Sequence, residues 1–247
     1  MASPAKRGFR ITEERKGMKE QPLLVLVHGA WHRAPMWDAL IAQMPDVDIV
    51  TIQLPSSAPA SDSRLGDLYD DARAIRSLVD ALSGPVVVCA HSYGAVPVTE
   101  GLAGAKQVRR IVYLSGFVLD SGESVLSVTG GRYRPHWLVD ERAGTVRIND
   151  PESVLYGDMT PEAAKAAAAS LGPQSLSSLR QPVTATAWRD FPTTYIAGSQ
   201  DAGLPASLTS RFSARADKSI VLQAAHSAFY SRPAELAGAL RDELRAS

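Results

Sequence analysis

The sequence predicts an α/β protein, a mostly parallel central sheet with helices on both faces. Three observations carry this. Short β-branched runs alternate with helical patterns along most of the chain. The runs themselves do not alternate apolar with polar residues, as expected of strands covered on both sides. The chain has 247 residues, enough for one sizeable core and short for two independent ones.

The candidate strands are Leu23–Val27, Val47–Ile52, Pro85–Ala90, Arg109–Leu114, Thr193–Ala197 and Ser219–Leu222. Between them, Leu65, Leu68, Ala72, Ile75, Val79 and Leu82 fall on one face of a helix. A second helix starts at Ser92 and runs to about Ala103. A third follows Pro233, with Leu236, Leu240 and Leu244 as its buried stripe. From Leu119 to Trp188 the alternation breaks: Gly130-Gly131 mark a turn, Thr145–Ile148 a turn or short hairpin, and a helix follows Pro161. A plain loop of that length is uncommon in a compact domain. Residues 119–188 are therefore expected to fold as a small cap or lid on the core formed by 22–118 and 189–247. Residues 1–21 read as a flexible extension without a secretory apolar region, and Met18 offers an alternative translation start.

Lys plus Arg and Asp plus Glu both number 26, so no net field draws nucleic acid or an anionic membrane. No run is apolar and long enough to span a bilayer. The single cysteine, Cys89, rules out an internal disulfide framework and a cysteine-rich zinc site, reads as a small buried hydrophobe, and suits a cytoplasmic setting. No heptad pattern declares an oligomer.

The strongest chemical signal is Val86-Val87-Val88-Cys89-Ala90-His91-Ser92-Tyr93-Gly94-Ala95, a buried strand running into a small-x-Ser-x-Gly turn and a helix. Such a turn lifts a serine hydroxyl clear of the backbone, and the helix start supplies free N–H groups. Acyl transfer also needs donors for the developing oxyanion. Tyr93 N–H follows the serine directly, and Ala30 N–H lies in Val27-His28-Gly29-Ala30-Trp31-His32 after the first strand. Of five histidines, His226 follows the last strand and comes after both the serine and a candidate acid, which suits a general base. His28 and His91 read as structural, His136 lies in the excursion, and His32 is placed for the pocket rather than the base. Asp201, after Thr193–Ala197, is preferred as the acid over Asp120, which follows an earlier strand.

These motifs, with Ala225-His226-Ser227-Ala228-Phe229, resemble the α/β-hydrolase branch that includes plant methylesterase and hydroxynitrile-lyase-type proteins and their bacterial esterase relatives, from about Pro22 to Leu244. The resemblance implies a Ser92–Asp201–His226 triad, an oxyanion hole at Ala30 and Tyr93, and a cap over the pocket. Ala90 stands where the motif carries glycine, and Pro97 sits early in the serine helix. Ser227 replaces the lysine, and Ala30 the threonine, found in the lyases, which favours hydrolysis.

The expected function is cleavage of a small or medium, apolar or aromatic ester or lactone, with no metal or organic cofactor. The pocket wall is expected from Trp31, His32, Phe117, Trp137, Met159, Trp188 and Phe229. A non-hydrolytic enzyme on the same fold and a ligand-binding receptor with a vestigial triad remain the rival readings.

Overall fold

The computed structural model describes residues 21–57 and 65–247. Of the extension expected at 1–21, all but Gln21 lies outside the described residues, Met18 included. The first part of the chain lays down β1 (Leu23–Val27), α1 (Asp38–Ile41), β2 (Ile49–Ile52), α2 (Leu68–Ala81), β3 (Val86–His91), α3 (Ala95–Gly101) and β4 (Val108–Leu114). An insertion then holds α4 (Val125–Val128), β5 (Trp137–Asp140), β6 (Thr145–Ile148), α5 (Pro151–Leu155), α6 (Pro161–Ala168), β7 (Gln174–Ser175) and α7 (Leu176–Arg180). The chain returns through β8 (Thr193–Gly198), α8 (Ala206–Ser213), β9 (Lys218–Leu222), α9 (Ala228–Ser231) and α10 (Pro233–Arg245).

Six strands form one sheet in the order β2-β1-β3-β4-β8-β9, with every neighbouring pair parallel. The period of two along each strand splits its apolar run between two cores. Val25, Val27, Val86, Val88 and Ile111 pack with Ile75 and Val79 of α2 on one face. Leu24, Leu26, Val87, Cys89 and Val112 pack with Leu40 of α1 and Leu236, Leu240 and Leu244 of α10 on the other. Both sets need apolar residues, which is why the runs carry no polar alternation.

Several boundaries differ from the sequence reading for local reasons. The helix expected from Leu65 starts at Leu68, because Asp67 accepts from Tyr69 and Asp70 N–H while the Asp70 carboxylate accepts from Asp67 N–H. The strand expected from Val47 starts at Ile49, since Val47 N–H is engaged in a turn with Met44 carbonyl. The serine helix opens as a 3-10 turn over Ser92–Gly94 before α3. Pro97 falls in the first turn of α3, where a missing N–H does least harm. In the insertion, β5 and β6 form an antiparallel hairpin to which the short β7 adds.

β1 is the strand from which the chain winds both ways, to β2 on one side and β3 on the other. In open α/β sheets a ligand crevice forms beyond the carboxyl ends at such a reversal. The loops leaving β1 and β3 there are those that carry Ala30 and Ser92. Among the described residues, no helix is long and apolar enough to cross a membrane.

Candidate active site

The turn after β3 holds Ser92 at φ 51°, a left-handed conformation that a non-glycine residue adopts only when its surroundings enforce it. Gly94 permits the turn to dock directly on the loop after β1, since a Cβ there would lie 2.3 Å from the His28 carbonyl oxygen. The turn forms with Ala90 in place of glycine, within a fully buried strand. The N–H groups of Ala30 and Tyr93 have no hydrogen-bond partner among the described residues, and both residues line the same pocket as Ser92.

His226 lies on the loop after β9, and its Nδ1–H donates to both Asp201 oxygens at 2.9 Å. Asp201 Oδ1 also accepts from Gly203 N–H at 2.8 Å and Leu204 N–H at 2.9 Å. Burial works to raise the Asp201 pKa, but the facing imidazole and these hydrogen bonds outweigh it and hold the carboxyl below its ordinary value. Gly203 lies flat under the ring: a Cβ would come within 2.9 Å of His226 Nδ1. His226 and Ser92 open onto one pocket, with no hydrogen bond between them in this geometry. Asp120, the alternative acid, is half-exposed and pairs with Arg189 at 2.7 Å instead.

The other core histidines are neutral scaffolding. His28 Nδ1–H donates to Gly29 carbonyl while Nε2 accepts Leu54 N–H, and burial pushes its pKa down to about 4. His91 Nε2–H donates to the His226 carbonyl at 3.1 Å from beneath, and burial holds its pKa well below the ordinary value.

The pocket encloses about 400 Å³ including its open mouth, and of the expected wall it is lined by Trp31, Phe117 and Trp137. Four expected wall residues lie elsewhere. His32 is buried behind the loop, donating to Ala30 carbonyl and accepting from Tyr156 hydroxyl. Phe229 fills the core against Trp37 and His91. Met159 packs beside Leu155 and Tyr156 within the insertion. Trp188 donates to Leu119 carbonyl at 2.9 Å, and Arg189 stacks on its ring. Their places are taken by Val125, Val154, Leu155 and Leu179 of the insertion, together with Arg134 and His136.

A buried hydrogen-bond chain unseen in the sequence runs behind the candidate donors. Tyr93 hydroxyl donates to Asp71 Oδ2 at 2.7 Å, and Ser56 donates to the same carboxylate through N–H at 2.8 Å and through its hydroxyl. Gln174 Nε2 donates to Ser56 Oγ at 2.8 Å, and Gln174 Oε1 accepts from Trp31 N–H at 3.4 Å. The insertion also holds Trp31 through Val146 carbonyl and Gly172 N–H. Burial pushes the Asp71 pKa up to about 7, against the bonds from Ser56 and Tyr93. The available signal was position: Asp71 sits three residues after Leu68 and four before Ile75, inside the apolar stripe of α2.

The profile of the alpha/beta hydrolase family matches residues 24–239. The chain belongs to that family. It is 23% identical over 200 residues to the alpha/beta hydrolase nvfD of Aspergillus novofumigatus, covering 75% of this chain and 80% of the relative. To the probable hydrolase R7 of Phoma sp. it is 27% identical over 191 residues, 73% of this chain and 78% of the relative. Similar solved structures include a pyrethroid hydrolase from Sphingobium faniae JZ-2, with TM-score 0.78 and 18% identity over 91% of this chain and 98% of that one. The methylesterase MES16 from Arabidopsis gives TM-score 0.75 and 21% identity over 92% and 100%. At these identities the structures speak for the fold.

Proposed function

We propose that this family member is a serine carboxylesterase acting through Ser92, His226 and Asp201. The observation that carries the reading is the His226–Asp201 pair at 2.9 Å, opening onto the pocket that also holds the strained Ser92 turn. His226 Nε2 takes the Ser92 proton as Oγ attacks the ester carbonyl. Asp201 fixes the tautomer with Nδ1 protonated and stabilises the imidazolium that forms. The N–H groups of Ala30 and Tyr93 receive the oxyanion, and His226 then protonates the departing alcohol. Water enters by the same route in reverse and releases the acid. Residues 119–188 serve as a cap, since they supply one side of the pocket. Trp31, Phe117, Val125, Trp137 and Leu179 suit an apolar or aromatic ester or lactone. The buried free thiol of Cys89 is in keeping with a cytoplasmic enzyme.

The test is hydrolysis of p-nitrophenyl butyrate by wild type and Ser92→Ala, with folding of both checked by circular dichroism. The expected result is a loss of about 10⁴-fold or more in kcat. Equal turnover by both proteins removes Ser92 from the chemistry. Cyanide release from a cyanohydrin without ester turnover would favour a lyase.

A further inference from the structure

The segment leading into β5 brings two side chains to the pocket for which acyl transfer has no use, Arg134 and His136. Most of the remaining wall contributed by the insertion is aliphatic or aromatic. Arg134 is half-buried, its Nε is shut off from solvent, and that atom has no hydrogen-bond acceptor. Among the described residues its guanidinium forms no ion pair. The carboxylate whose charge reaches it, Asp201, already accepts from His226 and from two backbone N–H groups. His136 adds no second positive charge, because burial and then the charge of Arg134 push its pKa down to about 4 and keep the ring neutral.

A partly desolvated guanidinium without an acceptor is unfavourable as it stands and becomes favourable once an anion supplies paired oxygens. Its planar fork of N–H donors matches a carboxylate two bonds at a time. A neutral imidazole alongside adds one donor that an anion can use. We infer that Arg134, with His136 beside it, is an anion-recognising end of the pocket, so that the substrate is an ester with an apolar body and a carboxylate remote from the scissile bond. This rests on the esterase reading and narrows it to half-esters of dicarboxylic acids and their like.

The test compares p-nitrophenyl hydrogen glutarate with p-nitrophenyl 5-methylhexanoate, in which an isopropyl group replaces the carboxylate. Wild type is expected to favour the charged ester about tenfold or more in kcat/KM, mostly through KM. Arg134→Gln should reduce that preference by roughly ten- to a hundredfold, the range of a charge-assisted hydrogen bond. Arg134→Lys should restore part of it. An unchanged preference in Arg134→Gln overturns the inference. A second measurement needs no turnover: calorimetric binding of monomethyl glutarate and dimethyl glutarate to Ser92→Ala. Tighter binding of the half-ester, lost in Ser92→Ala/Arg134→Gln, supports the site even where hydrolysis fails and the esterase reading falls. Equal binding of the two esters overturns it even where hydrolysis succeeds.

Discussion

The floor and the roof of the pocket are built in different ways. The floor is backbone geometry at strand ends: Ser92 at φ 51°, Gly94 against His28 carbonyl, and Asp201 held by two N–H groups. The roof is an insertion of short helices and a three-stranded antiparallel sheet, joined to the floor through side chains such as Gln174 and Trp31. In the proposed esterase, floor residues would decide whether chemistry occurs, and roof residues how well and on what.

The largest expected effect separates the two candidate acids. Asp201→Asn should lower kcat on p-nitrophenyl butyrate by about 10³–10⁴-fold, because the imidazole loses its charged partner and its preferred tautomer. Asp120→Asn, which removes only a half-exposed pair with Arg189, should stay within about twofold. The reverse ranking would move the acid to β4 and break the description of the floor. Next comes Gly203→Ala, whose Cβ must push a ring 2.9 Å away. About a 10–100-fold loss of kcat is expected with the circular dichroism spectrum unchanged. Undiminished activity would mean that the imidazole position is not tightly set.

Gln174→Ala joins roof to floor in a single test. It cuts the chain from Trp31 N–H to Ser56 and Asp71. Roughly tenfold lower kcat with little change in KM is expected if the roof steadies the Ala30 donor. A rise in KM alone would confine the roof to substrate binding. The smallest effect is on stability. Asp71 has its pKa raised on folding from 3.8 to about 7, so the folded state keeps a proton that the unfolded state releases first. Its contribution is full below about pH 4 and is lost as pH rises to about 7. Asp71→Asn lacks that titration, so its stability relative to wild type should improve by roughly 2–4 kcal/mol across the window. Urea unfolding at pH 5 and pH 8 measures it, and a constant gap would contradict the buried, protonated carboxyl.

The same contrast explains what could be read in the sequence. The strands were legible because double-sided burial leaves unbroken apolar runs, and the serine turn because a small-x-Ser-x-Gly pattern after a strand is a backbone requirement. The pairing of Asp201 with His226 could be anticipated from their places after β8 and β9. The wall was only partly legible, since an aromatic residue near the site in sequence can point either way. Trp31 and Trp137 face the pocket, while Phe229 and Trp188 turn into packing of their own. Arg134 and His136 carried no motif at all, and only the fold of the insertion brings them to the pocket.

The most direct measurement is intact-protein mass spectrometry after exposure to an alkyl fluorophosphonate, followed by peptide mapping. Such a reagent forms a stable adduct only where a serine is activated by a base and its oxyanion is held. One adduct on the peptide containing Ser92, absent from Ser92→Ala and much slower to form in Asp201→Asn, is the expected result. Labelling at another residue, or ester turnover that persists in a protein whose Ser92 remains unlabelled, would contradict the account.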